Sequence, residues 1–136
     1  MNKTISVKAI INVSLENAWE RWTKAQHITN WNFASDDWHC PKAESNFKEG
    51  GNFSYRMEAK DETMGFDFSG KFTLIEAGKQ INTLLDDNRK VEVFFFDQQG
   101  KTLVQENFEA ENLNPIDLQQ QGWQAILDNF KKYCES

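Results

Sequence analysis

Glu106 is the residue in this sequence whose chemistry is easiest to define. It lies in an alternating segment, Lys101 to Ala110, that is typical of a half-buried strand. Three residues of the same parity form the expected inner set: Thr102, Val104 and Phe108. A buried carboxyl must be protonated, paired or hydrogen-bonded to a ligand, because an unpaired buried charge is costly. We therefore expect Glu106 to anchor a ligand, rather than to act as a general acid or base. The alternatives are exposure to water at an open strand end, or a partner such as His39 or Tyr55.

A second group of reactive side chains lies between residues 36 and 40. Asp36, Asp37, His39 and Cys40 are all metal-ligand types. Zinc sites need three or four ligands at suitable loop spacing, and the sequence contains no second cluster. We therefore predict no metal site, and we expect Asp37 and His39 to orient a loop instead.

Common catalytic and cofactor motifs are also missing. There is no Gly-x-Ser-x-Gly elbow, no phosphate loop and no dinucleotide fingerprint. Cys40 has only the adjacent His39 as a base, and adjacent side chains cannot easily reach one another. The sequence predicts no catalytic residue and no cofactor.

The first 41 residues predict one strand, two helices and an irregular block. Lys3 to Val13 alternates as a half-buried strand, and Ser14 is a plausible cap for an amphipathic helix. A second short helix is expected from Ala25 to Asn30. Trp31 to Pro41 has neither the helical nor the strand period, so we expect an aromatic loop tied to an apolar surface.

From Ala43 onward the sequence predicts only strands until the last helix. The expected strands are residues 45–48, 53–58, 64–74, 80–85, 91–96 and 101–110. Hairpin-length links between them predict an antiparallel meander. Gly70, in the middle of a strand, suggests a sharp bend in a strongly curled sheet.

The last element is a helix predicted from Pro115 to Cys134. Asn114 would be its N-cap and Pro115 its first residue. Its apolar stripe is formed by Trp123, Ile126, Leu127, Phe130, Tyr133 and Cys134. Gly122 either lets the helix lie close to a strand or leaves space beside Trp123. The sheet would bury its inner face by curling around this helix.

Composition limits the possible partners. The chain has 136 residues, which fits one domain over residues 1–136, with 15 basic and 21 acidic residues and a net charge of −6. Without a basic stripe or a long apolar run, we expect no nucleic-acid partner and no membrane. No signal-peptide pattern precedes the first strand, and two cysteines make no disulfide framework, so we expect a cytoplasmic protein. The 18 aromatic residues (11 Phe, 5 Trp and 2 Tyr) either fill a core or line a pocket.

Several segments together resemble the START-like helix-grip superfamily, and more narrowly the bacterial relatives of the C-terminal domain of the activator of heat-shock protein 90 ATPase. They are the block Trp31 to Pro41, Gly50-Gly51 before an aromatic strand, Phe66-Asp67-Phe68-Ser69-Gly70, Gln121-Gly122-Trp123-Gln124 and Leu127-Asp128-Asn129-Phe130. The resemblance covers nearly the whole chain. It implies an α+β fold in which a curved antiparallel sheet of six or seven strands grips the long C-terminal helix, with two short helices between the first and second strands. It also implies a cavity between sheet and helix, closed at one end by loops.

Strand parity and the last helix suggest which residues line such a cavity. The expected walls are Tyr55, Met57, Met64, Phe66, Phe68, Trp123 and Leu127. Trp31, Phe33 and Trp38 would form the lid, and Glu106 with His39 the polar contacts. The favoured function is non-catalytic binding of a small hydrophobic or aromatic ligand. The alternatives are a filled core, a cyclase- or hydrolase-type enzyme using Glu106, and a co-chaperone or protein-interaction module.

The segment from Val91 to Phe96 can be read in two ways. If Val91, Val93 and Phe95 face inward, Phe94 and Phe96 lie on the convex face and suggest an interface, such as a homodimer. If the parity is reversed, the two phenylalanines line the pocket. Periodicity alone does not decide between these readings.

Overall fold

The computed structural model describes residues 3–136 as three helices and seven strands. In chain order they are β1 (Thr4–Ile11), α1 (Leu15–Thr23), α2 (Ala25–Ile28), β2 (Trp38–Ser45), β3 (Asn52–Ala59), β4 (Gly65–Glu76), β5 (Gln80–Leu85), β6 (Lys90–Gln98), β7 (Lys101–Glu109) and α3 (Ile116–Glu135). The strands form one antiparallel sheet in the order β1-β7-β6-β5-β4-β3-β2. This is the predicted α+β helix-grip fold, with a curved sheet, a long last helix and two short helices between β1 and β2.

Helix α3 covers the β1 edge of the sheet. Three of its side chains donate hydrogen bonds to β1 carbonyl oxygens: Gln120 to Ser6 (3.5 Å), Gln124 to Lys8 (3.1 Å) and Lys131 to Ile10 (2.6 Å). These bonds satisfy backbone groups that an edge strand would otherwise leave unpaired. The helix is therefore held at one side of the curved sheet, and the space towards β3 and β4 stays open.

Inward-facing side chains of the central strands form the core under α3. Val104 and Phe108 of β7 are fully buried, as are Leu127 and Phe130 of the helix. In β6, Val91, Val93 and Phe95 are buried, whereas Phe96 is 45% exposed. The inward reading of Val91, Val93 and Phe95 is therefore correct.

Some element boundaries differ from the sequence-based expectation. Strand β2 begins at Trp38, inside the segment expected to be a loop, and it ends at Ser45, where a strand was expected to begin. Helix α2 ends at Ile28 rather than at Asn30. Pro115, not Asn114, is the N-cap of α3. Ser14 does cap α1, since its Oγ accepts a hydrogen bond from the Asn17 N–H at 3.3 Å.

The structure changes the expected role of Gly70 and decides against one of the two readings of Gly122. The irregularity of β4 falls between Phe72 and Leu74, not at Gly70. Gly70 is needed because a Cβ there would overlap with the carbonyl oxygen of Leu84 on β5. A Cβ on Gly122 would meet nothing, so this glycine does not bring α3 close to a strand.

No helix in the described part of the chain has both the length and the apolar character of a membrane span.

Candidate functional site: a pocket between the sheet and the last helix

A pocket of about 310 Å³ lies between the concave face of the sheet and α3. Its walls are mostly aromatic and aliphatic, and the polar groups are concentrated at a few positions. Seven of the residues expected at the site line it: Trp31, Tyr55, Met57, Phe66, Phe68, Glu106 and Trp123. Strand parity brings five of them together, because alternate residues of β3, β4 and β7 point to one face, whereas Trp123 comes from α3 and Trp31 from the segment after α2.

Glu106 lies on β7, in the middle of the pocket floor. It is opposite Val7 on β1 and Val93 on β6, and both valines are buried. The residue is only 5% exposed, and no group within residues 3–136 forms a hydrogen bond or an ion pair with its carboxyl. Burial alone raises the pKa of Glu106 from 4.5 to about 8. The carboxyl is therefore largely protonated at pH 7 and faces the pocket without a protein partner.

Trp123 joins the helix to the pocket floor. Its ring stacks on the ring of Phe108, with centroids 3.9 Å apart and planes 9° from parallel. The ring of Phe68 meets it edge-on from the opposite wall at 5.8 Å. Because Phe108 is two residues after Glu106 on β7, this aromatic group lies next to the carboxyl.

The aromatic wall continues along β3 and β4. Phe53 contacts Tyr55, Phe68 and Phe72 with ring centroids 5.1, 6.0 and 5.1 Å apart. The Tyr55 hydroxyl is deeply buried, and burial raises the pKa of this phenol well above its ordinary value, so it stays protonated. The wall therefore presents mainly ring surfaces, and its one phenol stays neutral.

One end of the pocket is closed by packed aromatic rings. Trp31 is 3% exposed, and its Nε1 donates to the carbonyl of Arg21 at 3.0 Å. Its ring lies 4.8 Å from those of both Trp22 and Phe130. Trp31 is thus part of the wall, which corrects its assignment to a lid.

The other end of the pocket is polar. The buried Gln119 donates from Nε2 to the carbonyls of Glu111 (3.1 Å) and Asn114 (2.8 Å), and its Oε1 accepts from the Glu111 N–H (2.9 Å). Arg89 lines the same end, where its Nε donates to Asp87 at 2.7 Å. Gln119 thus holds the loop before α3, and Arg89 is bonded to the turn before β6 and to the Glu109 carbonyl of β7.

Five expected site residues do not line the pocket, and the structure gives a reason for each. Trp38 and His39 lie on β2 at the outer edge of the sheet, opposite Ala59 and Glu58. His39 is 3.7 Å from the Glu58 carboxylate and substantially exposed, so it is not a partner for Glu106.

Phe33, Met64 and Leu127 lie outside the pocket, each in a different part of the structure. Phe33 lines a separate surface groove beside α3. Met64 precedes β4 in the hairpin turn and is 64% exposed, so the inward orientation expected for it was wrong. Leu127 is fully buried in the core under α3.

Sequence reasoning missed several wall residues. They are mainly Trp22, Phe47, Phe53, Phe72 and Arg89. Phe72 shares the parity of Phe66 and Phe68, and Phe53 shares that of Tyr55, so the strand pattern could have identified both. Arg89 lies in a segment that reads only as a turn, so no comparable signal identified it.

The two cysteines and the potential metal ligands do not indicate a nucleophilic site or a metal site. Burial raises the pKa of the thiols of Cys40 and Cys134 to about 11, so neither is a reactive thiolate. Within the described residues, no group of three or more His, Cys, Asp or Glu side chains is placed to hold a metal ion.

Comparisons with known proteins place this architecture in a family. The model of the family described as "Activator of Hsp90 ATPase homolog 1-like protein" matches residues 12–135. An AHSA1-like protein from Aeromonas hydrophila, solved by NMR, is 44% identical, with a TM-score of 0.92 over 98% of this chain and 92% of that one. A protein from Cytophaga hutchinsonii is 39% identical, with a TM-score of 0.84 over 97% and 92% of the two chains.

More distant structures share the fold alone. A protein from Nitrosomonas europaea is 14% identical, with a TM-score of 0.82 over 97% of this chain and 94% of that one. None of the curated proteins matches the chain. On the family model and the two closer structures, the chain belongs to the family of activator of Hsp90 ATPase homologue 1-like proteins.

Proposed function

We propose that this protein binds a small hydrophobic or aromatic ligand in the pocket between the sheet and α3. The observation that carries the proposal is Glu106, a buried carboxyl that faces the pocket and has no partner among the described residues. Retaining such a group in an apolar floor costs stability. A ligand that hydrogen-bonds to it would offset that cost, so Glu106 serves as the polar anchor of the site.

The size and walls of the pocket support the same function. A volume of about 310 Å³ is at the lower end of the range for small-molecule sites, roughly 300–1,000 Å³. Trp123, Phe68 and Phe53 offer ring surfaces, and Met57 supplies a side chain that adapts to irregular shapes. We therefore expect apolar contacts to supply most of the affinity and Glu106 to fix the orientation.

Tryptophan fluorescence tests the proposal. A library of small hydrophobic and aromatic compounds is screened for changes in intrinsic emission, and hits are repeated with Trp123→Phe and with Trp38→Phe as the matched control. Each variant loses one indole, but only Trp123 lines the pocket. We expect Trp123→Phe to lose a larger part of the response than Trp38→Phe, since Trp22 and Trp31 of the pocket wall still report in both variants. Equal losses, or no response to any compound, would contradict the proposal.

A second candidate function is catalysis by Glu106. A carboxyl whose pKa is raised to about 8 can donate or accept a proton near neutral pH, which suits a cyclase or hydrolase. Glu106→Gln would then remove turnover of a bound compound and leave its affinity largely unchanged.

We place the protein in the cytoplasm in this proposal, without a nucleic-acid or membrane partner.

A homodimer through the convex face is the protein partner that we propose. There, Ile10, Leu103 and Phe96 lie in register across β1, β7 and β6, and Ile10 and Phe96 are 47% and 45% exposed. The rings of Phe94 and Phe96 stack with centroids 6.2 Å apart.

A further inference from the structure

We propose that the ligand of this pocket is a hydrophobic amine, bound as an ammonium ion against the carboxylate of Glu106. The inference rests on the proposed function and adds the charge of the ligand. It follows from three features of the pocket: an acidic group without a counter-ion, lining charges that are bonded to other groups at the far end, and aromatic rings next to the acid.

The first feature is the unfilled bonding capacity of Glu106. Its carboxyl accepts no hydrogen bond from any group in residues 3–136 and has no charged partner there. An ammonium ion supplies both a positive charge and three N–H donors, whereas an alcohol supplies one donor and no charge. Charge-assisted hydrogen bonds are about twice as strong as neutral ones, so the amine is the better partner.

The second feature is that, within residues 3–136, no charged side chain is placed to take the position of the ligand beside Glu106. Arg89 shares the parity of Val91 and Val93, and Val93 is opposite Glu106. Four residues along a strand correspond to about 13 Å. The Arg89 guanidinium is held away by Asp87 at 2.7 Å and by the carbonyl of Glu109 at 3.3 Å.

Among the described residues, the other groups that line the pocket do not compete with a ligand for the Glu106 carboxyl either. Tyr55 on β3 stays neutral, and Glu111 lies at the Arg89 end, where it accepts from the Asn114 N–H at 2.7 Å. Helices α1 and α3 contribute only uncharged side chains to the lining. Both histidines are engaged elsewhere, His27 with Tyr133 at 2.6 Å and His39 with Glu58.

The third feature is the aromatic group beside the acid. Trp123 stacks on Phe108, the next inward residue of β7 after Glu106, and Phe68 approaches from the facing wall. The face of an aromatic ring attracts cations, and because Phe108 covers one face of Trp123, the remaining indole surface and the Phe68 ring are what a cation could contact. Rings and a carboxylate together favour a cation over a neutral or an anionic group of the same shape.

The charge of the ligand also fixes the direction of the pH dependence. An alkylamine stays protonated below about pH 10, so only the state of Glu106 changes between pH 6 and pH 9. Because the amine pairs with the ionised carboxyl, its apparent affinity follows the ionised fraction. With a pKa of about 8, we expect affinity to rise about tenfold from pH 6 to pH 7 and to level off near pH 9.

The test compares three probes of one shape: 4-phenylbutylamine, 4-phenylbutan-1-ol and 4-phenylbutanoate. Binding is measured by calorimetry at pH 6, 7 and 9 with the wild type and Glu106→Gln. Glu92→Gln is the matched control, since Glu92 lies on the outer face of the neighbouring strand β6. At pH 9 we expect the amine to bind most tightly of the three probes and the butanoate least tightly. Glu106→Gln should weaken the amine by about 30-fold or more and abolish its pH dependence, with the alcohol changed little.

The outcomes separate this inference from the proposed function. If the alcohol binds as tightly as the amine at pH 9, or if amine affinity falls as the pH rises, the pocket binds ligands but the cationic class is wrong. If Glu92→Gln weakens the amine as much as Glu106→Gln, the carboxylate is not the anchor. If none of the three probes binds to the wild type, both the amine proposal and the proposed ligand-binding function are overturned.

Discussion

The pH dependence of stability offers a test of the environment of Glu106 without any ligand. Burial raises the pKa of this carboxyl from 4.5 to about 8, so the folded state holds the proton more tightly than the unfolded chain does. The contribution of Glu106 to the free energy of folding is therefore most favourable below pH 4.5 and becomes unfavourable as the pH rises to about 8. At about 1.4 kcal/mol per tenfold change in proton affinity, the full cost is roughly 5 kcal/mol, of which roughly 3 kcal/mol is present at pH 7.

Glu106→Gln removes this cost because its side chain cannot ionise. We expect the stability advantage of the variant over wild type to grow by roughly 4 kcal/mol between pH 5 and pH 9. With a urea slope of about 2 kcal/mol per molar, the difference between the denaturation midpoints of the variant and the wild type would grow by about 2 M from pH 5 to pH 9. Comparing the two proteins at each pH cancels the other titrating groups.

The control for this measurement is Glu92→Gln on the outer face of β6. Its midpoint should stay at a nearly constant difference from wild type over the same pH range. If Glu106→Gln behaved in the same way, the carboxyl would have to be hydrated in the folded protein. The reasoning about the pocket floor would then be refuted.

Three further predictions concern other parts of the fold. Gly122→Ala should raise the free energy of unfolding by about 0.5–1 kcal/mol in urea denaturation, because the helix gains a better former and the new methyl meets nothing; a loss would contradict the open space. Gly70→Ala should lower it by more than 1 kcal/mol in the same assay, since the methyl overlaps with the Leu84 carbonyl; an unchanged midpoint would show that β5 can move away. The double change Phe94→Ser with Phe96→Ser should reduce self-association in analytical ultracentrifugation without altering ligand binding, and an unchanged sedimentation profile would exclude this face as the interface.

The sequence predicted those parts of the fold in which a single period continues over many residues. Alternation along residues 101–110 was sufficient to place Glu106 inside, because residues of one parity on a strand share one face. The helical stripe of α3 was equally clear, and Leu127, Phe130 and Cys134 are its buried members. The curl of the sheet followed from having one long helix to cover one face.

The segment around Trp38 could not be predicted in this way. Its side chains have no period, because β2 begins within the aromatic block and its register with β3 shifts between His39 and Lys42. Which face His39 takes therefore depends on pairing with Glu58, a contact distant in sequence. The same dependence on tertiary contacts explains Gly70, whose requirement comes from β5 rather than from its own strand.

Aromatic content alone also left the position of each ring undecided. Trp31 was expected in a lid, but its indole N–H bonds to the carbonyl of Arg21 on α1, which fixes the ring against Trp22 and Phe130. Sequence spacing does not encode that bond. It depends on how the segment after α2 folds back against α1.

Native mass spectrometry of the protein purified from its own host tests the central claim most directly. We predict that the wild type retains a small molecule of defined mass, and that Trp123→Ala loses it while Trp38→Phe keeps it. A wild-type protein that carries no added mass, or an added mass that Trp123→Ala retains in full, would contradict a ligand bound between the sheet and α3.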